Sequence, residues 1–250
     1  MLLPKKIMVL DTETIGLEKR YAYDIGFIIA ELKSGRYVEI DSEHYAVKQV
    51  YDNKMLFETA YYANKRPLYV QSLKAHKMKR KHIGRIFQRI KTQIKKHKID
   101  FVFAYNSPFD KSVMRFNSDY FKKANPIKNW IDIQGIASHY IHKTRQYKDF
   151  VNKHKKVTPK GYMRTNAECT YQAITGKTEF KEQHMGLQDC RIELDILNEC
   201  IKLGYNETKP LKKLFLTSEL DNSFKITAKG KTYTFKYHSM KNTRNGLVLN

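Results

Sequence analysis

The spacing of apolar positions changes several times along the chain, and each change marks an expected element. Ile7–Leu10 and Ile25–Ala30 are short apolar runs, which predicts two buried strands. Ser34-Gly35 reads as a turn. Tyr37–Val47 follows, with enough β-branched and aromatic residues for a third strand, so the chain is expected to open as an antiparallel meander. Phe101–Tyr105 and Trp130–Ile133 predict a fourth and a short fifth strand. Ile83, Ile86, Phe87, Ile90 and Ile94 recur at helical spacing with Arg85, Arg89, Lys91, Lys95 and Lys96 among them, the pattern of an amphipathic helix with a basic back. Leu187, Cys190, Leu194, Leu197 and Ile201 step by three and four residues, which predicts a core-facing helix.

Beyond this helix the period changes to two. Phe224, Ile226 and Ala228 alternate with polar residues, Lys229-Gly230 can turn the chain, and Tyr233, Phe235 and Tyr237 alternate again, a hairpin signal. With Pro210 and the polar stretch before it as a boundary, the expected division is a main domain over residues 1–204 and a basic, aromatic extension over 205–250. No internal repeat or low-complexity tract interrupts either part.

Composition narrows the class. Of 250 residues, 41% are hydrophobic, enough for one substantial core. The run Ile7–Leu10 is shorter than a signal or membrane segment and is followed at once by Asp11, so a soluble cytoplasmic protein without a membrane partner is expected. Cys169, Cys190 and Cys200 are odd in number and form no Cys-x-x-Cys pair, which reads as reduced packing residues. The net charge of +22 predicts attraction to a polyanion, nucleic acid or an acidic membrane surface. It is not evenly spread: residues 64–98 carry +13 with no acid, residues 141–165 carry +7, and residues 205–250 carry +6. These segments hold +26 together, so the remainder of the chain is slightly acidic, at −4.

The candidate chemistry lies in that acidic remainder. Asp11 and Glu13 follow the first strand directly, and residues two apart on an extended chain face the same side. Two carboxylates so placed repel each other unless a cation lies between them, and Mg²⁺ or Mn²⁺ favours such oxygen ligands. An EF-hand is excluded, because the twelfth position counted from Asp11 is Ala22 and not a bidentate glutamate. The fourth strand likewise delivers Asp110 just past its end, in Asn106-Ser107-Pro108-Phe109-Asp110, with Pro108 ending the strand and a helix expected over Lys111–Phe116. Asp189 falls in the first turn of the helix around Leu187, and His184 lies in the loop before it. A histidine, with an ordinary pKa of about 6.5, can take a proton from water near neutral pH.

Asp11-x-Glu13, Asn106-x-x-Phe109-Asp110 and His184-x-x-x-x-Asp189, in this order, resemble the motifs of the DEDDh family of 3′-to-5′ exonucleases, over residues 5–203. The resemblance implies an α/β, ribonuclease H-like fold, with the five strands in a mixed sheet flanked by helices and the basic hairpin as an appendage. It implies that Asp11, Glu13, Asp110 and Asp189 hold two divalent ions, Mg²⁺ or Mn²⁺, and that His184 is the general base. It implies that Thr14, Leu17 and Asn106 contact the substrate, with Leu17 wedged against the last base. The expected reaction is hydrolysis of DNA or RNA from the 3′ end to nucleoside 5′-monophosphates. The expected partner is nucleic acid, single-stranded 3′ ends above all, and a polymerase or another nucleic-acid-processing protein is a candidate partner. Tyr147, Phe150, Tyr162 and the hairpin aromatics are candidates to stack on bases. The other reading is a non-catalytic nucleic-acid-binding module on a nuclease scaffold. Three positions depart from the usual motifs: Ile15 replaces a threonine, Tyr105 a histidine and Gly186 an alanine.

Overall fold

A computed structural model describes residues 2–208 and 210–214, and the backbone pairing of residues 223–228 and 231–236. The chain opens with three long strands, β1 (Lys6–Thr14), β2 (Ala22–Lys33) and β3 (Arg36–Val47). Helices α1 (Lys48–Tyr51), α2 (Lys54–Phe57) and α3 (Arg66–Lys74) precede a short strand β4 (Lys79–Lys81) and α4 (Ile83–His97). Then come β5 (Val102–Ala104), α5 (Ser107–Tyr120), β6 (Trp130–Asp132), α6 (Ile133–Tyr140), α7 (Arg145–Lys153), α8 (Ala167–Thr175) and α9 (Gly186–Lys202).

The sheet has six strands in the order β4-β3-β2-β1-β5-β6, one more than the five expected. The first three form the antiparallel meander, and β4, β5 and β6 pair parallel to their neighbours. The additional strand is Lys79-Arg80-Lys81, all exposed and without hydrophobic alternation; β3 recruits it as an edge, where lysines suit a strand open to solvent. Side-chain alternation along β1 divides the core. Met8 and Leu10 face α4, α5 and the buried residues of α1–α3, whereas Ile7 and Val9 face the layer formed by α6–α9. On α4 the stripe Ile83, Ile86, Phe87 and Ile90 is buried as its spacing predicts, each such side chain contributing about 1.5–3 kcal/mol.

Three element boundaries differ from expectation. β1 continues through Asp11 and Glu13 to Thr14, because β2 pairs with it up to Thr14↔Ala22. α5 begins at Ser107 and not Lys111, since Pro108 occupies its first turn, where a missing N–H costs nothing. β6 ends at Asp132, whose side chain caps α6 by accepting from Gln134 N. Past residue 204, Tyr205 is buried against Tyr140, Thr208 Oγ1 donates to Leu2 O, and Leu211 packs on the α6–α9 layer. Farther on, Lys212 O lies 3.1 Å from His139 Nε2, and Leu214 lines a groove with Gln134. β7 (Ser223–Ala228) and β8 (Lys231–Lys236) pair antiparallel, as the alternation predicts. The side chains of Tyr233 and Phe235, and all of Tyr237, lie outside the described residues.

Candidate active site

Strand β1 places Asp11 and Glu13 on the face it shares with Ile7 and Val9, under the N-terminus of α9. Two glycines let the helix come this close. A Cβ on Gly26 of β2 would stand 2.1 Å from Leu187 N, and one on Gly186 would stand 2.7 Å from Gly26 N and 3.0 Å from Asp11 O. Gly186 in place of alanine is therefore matched to Gly26, which pairs with Asp11 across the strands. In the first turn of α9, Asp189 Oδ2 accepts from Met185 N at 2.9 Å. Asp110 arrives from the opposite layer, on the first turn of α5. Its Oδ1 accepts from Thr12 N at 3.0 Å and Thr12 Oγ1 at 2.8 Å, which ties α5 to β1 between the two carboxylates. The start of α5 is fixed in turn by Asp132, whose Oδ1 accepts from the N–H groups of Asn106 and Ser107 at 2.9 and 3.2 Å.

His184 occupies the loop before α9 with a left-handed φ of 51°, a conformation uncommon for a residue with a Cβ. Its Nδ1 lies 3.6 Å from Glu13 Oε1. The Tyr62 ring stacks on the imidazole at 4.0 Å and 13°, and Lys65 Nζ, 4.5 Å from the Tyr62 ring, donates to Gln183 O at 2.6 Å. The far side of the loop is anchored by Asp24, fully buried on β2. Asp24 Oδ2 accepts from Gly186 N at 3.1 Å and from Tyr69 Oη at 2.7 Å, while its Oδ1 lies 2.7 Å from His44 Nε2. The Tyr69 hydroxyl also reaches His184 O at 3.3 Å.

A cavity of about 220 Å³ opens between these elements, bounded by Asp11, Glu13, Asn106, His184, Asp189 and Glu193. Asp110 is 1% exposed and is not among its lining residues; its Oδ1 is held by Thr12. Burial is the leading cause that pushes every carboxylate here upward. Asp11 is raised first by burial and then by Asp110, Glu193, Asp189 and Glu13. Glu13 is raised by burial against the hydrogen bond and charge of His184. Asp110 is pushed up to about 8 by burial despite its two bonds from Thr12, and Asp189 is raised by burial, Glu182 and Glu13. Glu182, half-buried beside His184 and Glu168, is pushed up to about 7, chiefly by burial. Asp11 Oδ2, Asp189 Oδ1 and Glu193 Oε2 are buried with no hydrogen-bond partner. Glu13, His184 and Asp189 each offer a ligand atom within 4.8 Å of the others. Crowded acids with unpartnered oxygens fit a divalent cation, which satisfies the oxygens and removes the repulsion.

The three expected substrate contacts divide between this cavity and a second, open cleft of about 820 Å³. Asn106 is exposed at the acidic cavity, holding a left-handed φ of 63° at the N-cap of α5. Thr14 is buried with its hydroxyl donating to Gly16 O, and Leu17 is 74% exposed; both line the second cleft beside Glu13, Leu56, Tyr62 and Phe109. A third, basic groove of about 660 Å³ shares Gln134 and Asn166 with the acidic cavity and carries Lys160, Tyr162, Arg164 and Lys213. Of the aromatics expected to stack, only Tyr162 lines it among the described residues. Tyr147 is 1% exposed with its hydroxyl on Arg164 O, and Phe150 packs against the core, because α7 turns its apolar stripe inward. The other departures from the motifs are also packing choices: Ile15 is a core residue, and the buried Tyr105 hydroxyl donates to Thr165 O at 2.7 Å.

Asp24, Tyr62, Lys65, Tyr69, Glu182 and Glu193 were not singled out by sequence. Glu193 carried a readable signal, an acid beside Leu194 within the apolar stripe; Tyr62 and Lys65 carried none, since only the fold of residues 48–78 brings them to His184.

No family model matches the chain, and no curated protein matches it by sequence. Solved structures do. The nuclease domain of 3′hExo, a DEDDh family member bound to rAMP, superimposes with a TM-score of 0.54 at 12% identity, covering 82% of this chain and 97% of that one. E. coli exonuclease I in complex with a dT13 oligonucleotide superimposes with a TM-score of 0.51 at 13% identity, covering 81% of this chain but only 41% of that protein. The chain has the ribonuclease H-like fold of the DEDDh exonucleases.

Proposed function

We propose that this chain is a metal-dependent 3′-to-5′ exonuclease that removes nucleoside 5′-monophosphates from a polynucleotide end. The observation that carries this reading is the convergence of Asp11, Glu13, Asp189 and His184 on one cavity with unpartnered buried oxygens. The resemblance in fold to exonuclease I and 3′hExo supports it. Asp11, Glu13, Asp110 and Asp189 would hold the divalent ions, which when bound lower the pKa of water and neutralise charge on the leaving oxygen.

The chain's own residues supply the rest. His184, oriented by Glu13 on one side and by the Tyr62 ring on its face, takes the proton of the attacking water. The Asp24 network holds the loop that presents it. The second cleft takes the terminal nucleotide, with Leu17 and Tyr62 offering apolar surface to its base. The polymer behind it runs along the basic groove, where Lys160 and Arg164 meet phosphates. Such contacts are common to DNA and RNA. Cleavage of single-stranded DNA, duplex DNA and RNA is to be compared in Mg²⁺ and Mn²⁺ with Asp11→Ala as control. Shortening of at least one polymer by the wild type alone supports the reading, and shortening of none overturns it.

A further inference from the structure

The acidic cavity is lined by two carboxylates that the proposed chemistry does not use, Glu182 and Glu193, and of the two Glu193 is the fully buried one. Glu193 lies one helical turn after Asp189 on α9, so both project from the same face toward β1. It is 3% exposed, lines the cavity, and its Oε2 has no hydrogen-bond partner. Its neighbours deepen the problem. Ile192 and Leu194 are buried on either side, and the nearest charges are those of other acids, Asp110 and Asp189 foremost. The backbone N–H of Tyr105 opposes them. A buried acid without a partner cation is strongly unfavourable, and a side chain of the stripe around it would ordinarily be apolar. Asp11, Asp189 and Glu193, each with an unpartnered buried oxygen, line the same cavity.

We propose that Glu193 is a fifth carboxylate of the divalent-cation site, an oxygen ligand to the ion that Asp11 and Asp189 hold. This rests on the metal-dependent reading of the site and adds to it a ligand from the second turn of α9. A dication bound by more carboxylate oxygens is held more tightly, because each supplies charge and replaces water. Glu193 therefore sets affinity for the ion, whereas His184 serves the attacking water.

The test is Mn²⁺ binding to the full chain, followed by electron paramagnetic resonance at pH 8 without substrate. Glu193→Gln keeps the shape and mimics a protonated, merely structural glutamate. The expected result is a loss of at least about tenfold in affinity for one ion, with a melting temperature of the metal-free protein no lower than that of the wild type. Equal affinity and stoichiometry in the two proteins would overturn the role of Glu193 while leaving the metal site standing. A wild type that binds no Mn²⁺ would overturn the metal-dependent reading itself. A second measurement does not depend on the folding of that variant. With glutamate labelled by ¹³C at its side-chain carboxyl, Mn²⁺ bound to the double variant Glu13→Gln, Glu182→Gln is expected to retain an electron–nuclear double resonance signal from Glu193. Absence of any glutamate signal in that protein, with Mn²⁺ bound, refutes ligation.

Discussion

One hydroxyl links the loop that presents His184 to the buried Asp24, and Tyr69→Phe tests what that hydroxyl contributes. Tyr69 is fully buried, and burial with neighbouring Asp24 pushes its phenol well above the ordinary range, so it stays a neutral donor. It gives one short bond to Asp24 Oδ2, at 2.7 Å, and a long one to His184 O, at 3.3 Å. Phenylalanine fills the same space, so no cavity term enters. The loss of a bond to a carboxylate is worth about 1.5–3 kcal/mol, and the longer contact adds little. With roughly 2 kcal/mol lost, a domain of this size is expected to melt roughly 4–8 °C lower. The loop also loses one of its anchors, while Gly186 N on Asp24, Met185 N on Asp189 and Lys65 on Gln183 O remain. Turnover on a saturating oligonucleotide should then fall several-fold with KM little changed, because Tyr69 touches neither cleft. Circular dichroism melts and steady-state kinetics of Tyr69→Phe beside Tyr62→Phe, which retains its ring on His184, separate the effects. A melting temperature within roughly 1 °C of the wild type refutes the energetic reasoning. A lowered melting temperature with unchanged turnover refutes the link from Asp24 and Tyr69 to His184.

Four further outcomes are expected. Gly26→Ala forces a Cβ into the backbone of α9 at 2.1 Å, so it should destabilise by about 3 kcal/mol or more in urea unfolding; a cost below about 1 kcal/mol contradicts the close approach. Asp110 is held at about 8 in the folded protein, so its contribution to metal-free stability is full below about pH 4 and is lost as pH rises toward 8. Asp110→Asn should therefore stabilise the metal-free protein, by a margin that grows between pH 5 and pH 8 in thermal melts; a margin that shrinks reverses the sign of the argument. Leu17→Ala, at a side chain 74% exposed, should change stability by less than about 0.5 kcal/mol yet raise KM for oligonucleotides, and an unchanged KM removes Leu17 from the terminal-nucleotide cleft. Removal of residues 215–250, which spares the segment through Leu214, should weaken nucleic-acid binding and flatten its salt dependence without lowering turnover at saturation. Equal binding across a salt series removes that role.

The sequence disclosed this fold where one physical signal dominates. The alternation of Met8 and Leu10 with Ile7 and Val9, and the stripe on α4, are set by burial alone, and both elements lie where the pattern puts them. Asp11 and Glu13 were legible for the same reason, since the strand's period assigns them one face. β4 was not, because Lys79-Arg80-Lys81 is a strand only through its pairing with β3. Nor were Tyr62, Lys65 and Asp24, which reach the His184 loop through tertiary contacts that no local spacing encodes. Tyr147 shows the converse: an aromatic among basic residues resembles a stacking platform, yet its helix buries it. Glu193 lies between these cases, visible as a charge within an apolar stripe but interpretable only once the stripe is seen to face Asp11.

The central claim, a metal-dependent hydrolysis that starts at a 3′ end, is most directly tested with one oligonucleotide labelled at either terminus. In Mg²⁺ or Mn²⁺ the 3′ label should be released first, as a nucleoside 5′-monophosphate, while the 5′ label moves down a ladder of single-nucleotide steps. EDTA and Asp11→Ala should abolish both. Internal cuts, release that begins at the 5′ end, or equal cleavage by Asp11→Ala would contradict the account.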